Sequence, residues 1–338
     1  MQVQIKRGLF ANIDFTIFLI ALSMTIIGIV AIYSANLHSE ELVMRNLYKK
    51  QIIWLLCAIT VFLITLLIDY RIIERYTYVI FIIAVMLLVC VEFFGNTTSG
   101  SQRWIDIGVL KLQPSETMKI AIILLVARVY DSIGKDKALG FFDMLKPFIL
   151  VMIPFLLVAK QPDLGTAVVY LVILIVVTLL HGTESRILKL LGAITIVFGP
   201  LSWLLLKGYQ KKRILAFLNP ESDPMGSGYQ VIQSKIAIGS GGIVGKGIFN
   251  GTQSKLNFLP EKHTDFIFSV IAEETGFIGI MILFFLFATL IFKLIAEATN
   301  SRDLFGAMVI SGVMTLLVLH FFYKIVSSYH RPKHILTV

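Results

Sequence analysis

Residues 259–268 read LPEKHTDFIF and bring two acids, a lysine and a histidine together immediately before a long apolar segment. Thr264 or Asp265 would make a good N-cap for a helix that starts there, because its side-chain oxygen can accept from unpaired backbone N–H groups. A carboxylate beside apolar surroundings also binds its proton more tightly, which suits a general base. His263 and Asp265 lack a third ligand at metal spacing, so the segment does not predict a zinc site. These residues alone do not decide whether Asp265 caps a helix or acts as a catalytic base.

Two further acids, Glu273 and Glu274, follow in the same apolar segment. By the 1.5 Å rise of an α-helix, they lie about 12–13 Å along the axis from Asp265. Ionisable side chains at membrane depth are costly and usually line a polar cavity. Three carboxylates near the start of one apolar helix are more than a helix cap requires, which favours a functional site.

A second candidate region is SGSQRWIDIGVLKLQPSETMKIA, residues 99–121. Arg103 and Trp104 form an amphipathic pair suited to the headgroup level, where they could anchor the chain or grip a phosphate. The following QPSE predicts a helix start, with Ser115 as N-cap and Glu116 in the first turn. Glu116 and Lys119 stand three apart, so they can pair on one helical face, either as an ordinary ion pair or as the lining of a cavity.

The segment AKQPDLGTAVV, residues 159–169, interrupts the apolar pattern. Pro162 disfavours helix for the residue before it, which predicts a corner between two membrane spans. Asp163 is then a turn residue, the N-cap of the next span or a member of a polar site.

Glycines dominate AIGSGGIVGKG, residues 237–247. The segment departs from the phosphate-binding motif G-x-x-x-x-G-K-[ST] at Ser240 and at Gly247, which argues against nucleotide binding. A plain interfacial turn remains, or a backbone that offers N–H groups to an anion with Lys235 and Lys246 beside it.

Membrane helices must position these residues. The chain is 57% hydrophobic and only 15% charged, with a mean hydropathy of +0.84, whereas soluble domains carry about 25% charged residues. Repeated apolar runs approach the ~20 residues that a helix needs to cross a bilayer. We therefore predict an all-α, polytopic membrane helical bundle that forms a single integral membrane domain over residues 1–338.

The apolar runs predict about nine transmembrane helices: 13–34, 51–69, 77–94, 115–130, 146–159, 164–181, 187–206, 266–292 and 303–323. Lysines and arginines of the short loops favour an inside N-terminus. Segment 207–264 is then a large outer loop between helices 7 and 8, too long for a simple connector. It is rich in lysine and arginine, which suggests an anionic ligand on the outer face. For a membrane protein, the net charge of +9 points to anionic lipids rather than to nucleic acid.

Four segments, QRWIDIGVLKLQPSETMKIA, QPDLGTAVV, FLNPESDPMGSGYQVIQSKIAIGSGGIVGKG and GTQSKLNFLPEKHTDFIFSVIAEETGFIG, closely resemble the SEDS family of peptidoglycan glycosyltransferases (RodA, FtsW and SpoVE). The resemblance runs from residue 13 to about 322, and GTQ…LNFLPE looks more like the elongation-type RodA members than the division-type FtsW members. It implies a ten-helix fold in the bacterial cytoplasmic membrane. It also implies polymerisation of lipid II into glycan strands on the outer face, in cell elongation and shape.

By that resemblance, Asp265 corresponds to the family's essential aspartate, and Arg103 and Trp104 to its outer-loop pair. Polar positions that line the family's central cavity match three residues here: Glu116, Lys119 and Asp163.

Lipid II carries a diphosphate on an undecaprenyl tail, so its polymerisation needs a base for the attacking sugar hydroxyl and cations for the leaving undecaprenyl diphosphate. We predict Asp265 as the base, with inversion at the anomeric carbon. The remaining candidates for binding the substrate are Arg103, Lys235, Lys246, Lys262 and His263. No cofactor and no bound metal are predicted, although a divalent cation such as Mg²⁺ could assist. The resemblance implies a class B penicillin-binding transpeptidase as the protein partner.

The sequence departs from the family after GVMTLLVLHFF, where a further motif and a tenth span are expected. YKIVSSYHRPKHILTV follows instead and puts Lys324, Arg331 and Lys333 on the outer side, against the usual charge distribution. We predict a truncation or reading-frame shift near Tyr323, an atypical tail over 324–338, and reduced stability and activity because the tenth helix is missing.

Two other functions fit the sequence. A transporter could use Glu273 and Glu274 to flip lipid-linked precursors, although the inverted repeats typical of such proteins are not visible. An inactive scaffold for a transpeptidase would fit a chain in which loss of a helix has abolished catalysis.

Overall fold

The computed structural model describes most of the predicted membrane-embedded part of the chain. The described residues are 14–37, 41–94, 96–98, 101–107, 110–134, 138–161, 163–184, 229–252 and 264–329, with the single positions 39, 189, 192 and 211. The chain divides into two compact units. Unit 1 comprises residues 1–67, 199–293 and 320–338, and unit 2 comprises residues 68–198 and 294–319.

Helices account for nearly all of the described structure, as the sequence predicts. In chain order they are α1 (Phe15–Asn36), α2 (Leu42–Arg45), α3 (Leu47–Leu67), α4 (Tyr70–Phe94), α5 (Pro114–Asp131), α6 (Phe141–Lys160), α7 (Leu164–His181), α8 (Tyr229–Gly241), α9 (Ile267–Asn300) and α10 (Leu304–Tyr329). Three short strands between α4 and α5 are the exception: β1 (Asn96–Thr98), β2 (Ser101–Ile107) and β3 (Leu110–Leu112). They form an antiparallel sheet in the order β1-β2-β3.

Eight of the nine predicted spans coincide with long helices, and the predicted span 187–206 lies outside the described residues except for positions 189 and 192. Seven helical stretches in the described part of the chain are long and apolar enough to cross a membrane. The eighth, α5, carries four charged residues: Glu116, Lys119, Arg128 and Asp131. Its length of 18 residues corresponds to about 27 Å, close to the thickness of a bilayer core.

The core of unit 2 forms around α5. Thirteen of the 18 residues of α5 are buried, and apolar side chains of α4, α6 and α7 pack against them. Tyr130 of α5 lies within hydrogen-bonding distance of Thr178 of α7, with 2.6 Å between the two hydroxyl oxygens. A helix that its neighbours bury along most of its length can carry charges at its two ends with little contact to lipid.

Ion pairs at opposite ends of the helices define the two sides of each unit. In unit 1, Asp14 before α1 pairs with Lys293 of α9 at 2.9 Å, whereas Ser34 near the end of α1 donates to Glu274 near the start of α9. Helix α1 and the part of α9 from Glu274 to Lys293 are therefore antiparallel. With the N-terminus inside, as the positive charges favour, Asp14 lies at the inner end and Glu274 lies at the outer end.

The same alternation holds in unit 2. Arg128, near the end of α5, pairs with Glu74 near the start of α4. Lys160, at the end of α6, pairs with Glu92 near the end of α4. These contacts require α4 to run antiparallel to α5 and parallel to α6, which is the order that successive membrane crossings produce.

The last helix is longer than predicted. Helix α10 continues to Tyr329, so residues 324–329 of the predicted atypical tail extend a helix rather than leave it. Residues 330–338 lie outside the described residues.

Candidate functional site

Asp265 lies in a turn immediately before α9. The backbone carbonyl of Phe266 accepts the helical hydrogen bond from Val270, which puts Phe266 at the N-cap position rather than Thr264 or Asp265. The Asp265 carboxylate instead accepts a hydrogen bond from the Lys324 ammonium of α10 at 2.8 Å. The side chain of Asp265 is 56% exposed, so a hydroxyl of another molecule can reach it.

Helix α9 is broken at Gly276, where φ is 64° and ψ is −162°. Two helical hydrogen bonds, from Phe277 to Glu273 and from Ile278 to Glu274, cannot form across this break. The glycine-rich segment replaces them with four. The amides of Lys246 and Gly247 donate to the carbonyls of Glu273 and Glu274 at 3.0 and 2.9 Å, and those of Phe277 and Ile278 donate to the carbonyls of Gly242 and Ile243 at 2.9 and 3.1 Å. Broken helices are tolerated at membrane depth where neighbouring groups satisfy the backbone in this way.

The glycine-rich segment therefore has a different role from the predicted anion site. The amides of Gly245, Lys246 and Gly247 donate to carbonyl oxygens of the protein and do not form a nest for an anion. Close approach explains the glycines. A Cβ on Gly245 would lie 2.1 Å from the Glu274 carbonyl oxygen, and one on Gly241 would lie 2.2 Å from that of Ala272.

The Glu273 side chain also connects α9 to the residues that follow the glycine-rich segment. It is fully buried and accepts from the Lys246 ammonium at 2.7 Å and from the backbone N–H and hydroxyl of Thr252, both at 2.8 Å. The Lys246 ammonium also donates to the Thr252 hydroxyl at 2.7 Å. A buried carboxylate with three donors, one of them charged, is a structural acceptor.

Glu274 has an equally complete set of donors. It accepts from the Ser34 hydroxyl of α1 and from the backbone N–H groups of Phe249 and Gly251. Both acids that the sequence suggested for a polar cavity thus fasten residues 242–252 to α9, and Glu274 adds the end of α1.

The other cations predicted in unit 1 are only partly described. Lys235 lies on α8, and its side-chain nitrogen is buried. Lys262 and His263 lie outside the described residues. Their proposed contacts with substrate stay predictions.

In unit 2, Arg103 and Trp104 lie on β2, the central strand of the three-stranded sheet. Trp104 pairs in register with Asn96 and is half-buried. The sheet leads directly through β3 into Pro114 at the first turn of α5, so it extends from the outer end of that helix. The sequence did not indicate strands here because three short strands carry little periodic signal.

The outer end of α5 carries the predicted pair of Glu116 and Lys119. The two side chains form an ion pair at 2.7 Å, in which Lys119 is 3% exposed and Glu116 is 52% exposed. Gln113 occupies the N-cap position and Pro114 follows it, so the prediction that Ser115 is the cap is wrong. The Ser115 carbonyl instead accepts from the buried Tyr170 hydroxyl of α7 at 2.8 Å.

Asp163 is the N-cap of α7. Its carboxylate accepts from the backbone N–H of Thr166 at 3.4 Å and from the Thr166 hydroxyl at 3.0 Å, so the capping alternative is confirmed. Tyr170, on the helix that Asp163 caps, bonds the Ser115 carbonyl beside Glu116 and so joins α7 to the first turn of α5. Sequence reasoning missed it because a tyrosine within an apolar run looks like a core residue.

Sequence reasoning also missed Lys324, which it assigned to the tail as a misplaced charge. A lysine one turn from the end of a span gives no signal of its partner. Among the residues that the structure describes, no group of three or more His, Cys, Asp or Glu side chains could hold a metal ion, so we propose no metal site.

Comparison with known proteins gives consistent results. The model of the FtsW/RodA/SpoVE family, described as cell cycle proteins, matches residues 14–329. The peptidoglycan glycosyltransferase MrdB of Escherichia coli K12 is 38% identical over 315 residues, covering 93% of this chain and 83% of that protein. The peptidoglycan glycosyltransferase RodA of Treponema pallidum is 32% identical, covering 93% of this chain and 89% of that protein.

Solved structures show the same relationship. One is described as a peptidoglycan synthase complex that coordinates polymerization and crosslinking, and its matching chain has a TM-score of 0.76 at 26% identity, covering 94% of this chain and 87% of that one. The rod shape determining protein RodA of Thermus thermophilus matches with a TM-score of 0.65 at 25% identity, covering 92% of this chain and 83% of that one.

Proposed function

This chain belongs to the FtsW/RodA/SpoVE family, and on that premise we propose that it is a peptidoglycan glycosyltransferase that polymerises lipid II on the outer face of the bacterial cytoplasmic membrane. The observation that carries the proposal is the placement of Asp265. Its exposed carboxylate lies immediately before α9, directly after the large basic loop in the sequence.

The reaction follows from this placement. A hydroxyl of the acceptor sugar attacks the anomeric carbon of the donor, a new C–O bond forms, and the bond from that carbon to the diphosphate oxygen breaks. Asp265 takes the hydroxyl proton, and undecaprenyl diphosphate leaves with the bonding electron pair. One displacement inverts the anomeric carbon. Positive charge near the diphosphate stabilises the leaving group, for which Arg103, Lys235 and Lys262 are the candidates. Lys246 is a weaker candidate because it already pairs with Glu273.

The surroundings of Glu273 and Glu274 favour an enzyme over a flippase. A transporter that uses Glu273 and Glu274 to carry protons or to contact a moving substrate needs these carboxylates to be accessible. Both are buried and bonded to residues 246–252 or to Ser34, so they stabilise a broken helix instead.

A polymerisation assay tests the proposal. Purified protein in detergent is incubated with lipid II, and glycan strands are separated on a gel. We expect strands from the wild-type chain and none from Asp265→Asn. Asp14→Asn is the matched control, because it neutralises an ion-paired aspartate at the inner end of the same unit. Polymerisation by Asp265→Asn at the wild-type rate would exclude Asp265 as the base.

Two further outcomes separate the alternative functions. Wild-type protein that moves fluorescent lipid II across a liposome bilayer, with no glycan formed, would identify a flippase. Wild-type protein that forms no glycan but co-purifies with a class B penicillin-binding transpeptidase would identify a scaffold. We infer that such a transpeptidase is also the partner of the active enzyme, and complementation of an elongation-defective strain would test the elongation role.

A further inference from the structure

The contact between Lys324 and Asp265 joins two helices at the proposed active site. The Lys324 ammonium lies 2.8 Å from Oδ1 of Asp265 and 5.9 Å from the centroid of the neighbouring Tyr323 ring. Lys324 is 39% exposed, so it is partly enclosed at this position. An isolated ion pair at such exposure contributes little to stability, typically less than about 1 kcal/mol. The contact therefore matters more for the orientation of the Asp265 carboxylate than for the stability of the fold.

A buried cluster of three serines lies one helical turn further along the same two helices. Ser269 follows Asp265 by four residues on α9, and Ser328 follows Lys324 by four residues on α10. Ser234 of α8 bridges them. Its hydroxyl lies 2.5 Å from that of Ser269 and donates to the Ser328 carbonyl at 2.7 Å. All three serines are fully buried.

This cluster fixes how far α10 is shifted along α9. Residues four apart lie on the same face of a helix. Asp265 and Lys324 each precede their serine by four residues, so the part of α9 before Gly276 runs in the same direction as α10. A bond at the level of Ser269 and Ser328 therefore also brings Asp265 and Lys324 to one level, a turn earlier in both helices. The Ser328 hydroxyl also donates to the Lys324 carbonyl at 3.0 Å, which connects the cluster directly to the turn that carries the lysine.

We propose that Lys324 is a positioning residue for Asp265, held in place by the Ser234, Ser269 and Ser328 cluster. The inference rests on the proposed function, because it assumes that Asp265 is the base. The ammonium binds Oδ1 and limits rotation of the carboxylate, which holds the proposed base in one orientation. Loss of this orientation slows proton transfer and leaves substrate binding unchanged, since misplacement of a reacting group is felt in the chemical step.

Steady-state kinetics of lipid II polymerisation test this role. We expect Lys324→Met to lower kcat by roughly tenfold with a KM within about twofold of wild type, and Lys324→Arg to restore most of kcat, because a guanidinium can make the same contact. Lys293→Met is the matched control. It removes a lysine of similar exposure (41%) from an ion pair with Asp14 in the same unit, and we expect it to leave both constants unchanged.

Ser234→Ala provides a second, independent variant. It removes both bonds of the cluster without touching the ion pair, and we expect a smaller loss of kcat with the same KM. Gel filtration and thermal unfolding identify variants that have lost their fold. If Lys324→Met does not fold, the kcat and KM of Ser234→Ala and Lys324→Arg test the positioning role instead.

Three results would overturn the proposal. An unchanged kcat in folded Lys324→Met would show that the contact has no role. A raised KM with normal kcat would identify Lys324 as a ligand of the diphosphate. A raised kcat would identify the contact as inhibitory. Failure of the proposed function itself is distinct, because the wild-type chain would then form no glycan in the same assay.

Discussion

Replacement of Lys246 by methionine separates a structural role from a substrate-binding role. The sequence made Lys246 a candidate ligand of the diphosphate, whereas the structure pairs it with the fully buried Glu273. Lys246→Met removes the charged donor and leaves the carboxylate with the two donors of Thr252. Because water does not reach Glu273, its negative charge loses the main compensation for its burial.

The expected cost follows from this burial. Removing one partner of a buried ion pair typically costs about 3–5 kcal/mol, and the two remaining hydrogen bonds place Lys246→Met near the lower limit, about 3 kcal/mol. Glu273→Gln restores balance, because a neutral amide oxygen still accepts from Thr252. We therefore expect the double variant Lys246→Met with Glu273→Gln to recover at least about half of the loss, which is the signature of direct coupling.

Thermal unfolding in detergent at one fixed scan rate measures this loss. We expect the unfolding temperature of Lys246→Met to fall by at least about 5 °C, at the 2–4 °C per kcal/mol typical of domains somewhat smaller than this chain. The KM for lipid II in the polymerisation assay is measured alongside. An unchanged unfolding temperature with a raised KM would refute the structural assignment and return Lys246 to the substrate site.

Two further predictions concern the glycine-rich segment and the inner end of unit 1. Gly245 has φ +81°, and a Cβ there would lie 2.1 Å from the Glu274 carbonyl oxygen, so Gly245→Ala should cost more than about 2 kcal/mol of unfolding free energy. Gly242→Ala, with φ +56° and open space around it, should cost less in the same unfolding measurement, and equal losses would contradict the close approach. The Lys293 hydrogen bond is the largest cause that lowers the pKa of Asp14 from 3.8 to about 2. The pair therefore stabilises the fold above about pH 4, and its contribution is lost as the pH falls toward 2. Unfolding temperatures of wild type and Lys293→Met should converge over that interval, and a constant difference down to pH 2 would argue against the pair.

The sequence predicted the helices well because lipid imposes a simple rule. A stretch of about 20 apolar residues must form a helix to satisfy its backbone in a membrane, and eight of the nine predicted spans coincide with described helices. The helix ends were less accurate. Helix α10 continues to Tyr329 past the charge of Lys324, because a long side chain near a span end can reach a polar partner.

Capping and pairing were predictable only where they are local. Asp163 caps α7 through Thr166 three residues away, and Glu116 pairs with Lys119 on one turn, both at spacings that a sequence displays directly. The prediction that Ser115 caps α5 was wrong, because the helix begins one residue earlier, at Pro114, with Gln113 at the N-cap position. The bond from the Tyr170 hydroxyl of α7 to the Ser115 carbonyl was not predictable, since no pattern within residues 99–121 indicates it.

The sequence by itself determined the class of the molecule: a helical, multi-spanning membrane protein of the FtsW/RodA/SpoVE family. Tertiary structure alone decided which charges meet. It paired Lys246 with Glu273 and Lys324 with Asp265, across 27 and 59 positions of chain. The physical reason is the range of the forces involved. Hydrophobic burial is set by composition along each segment, whereas an ion pair needs two atoms within about 4 Å. Only the packing of residues 242–252 and of α10 against α9 brings these atoms together.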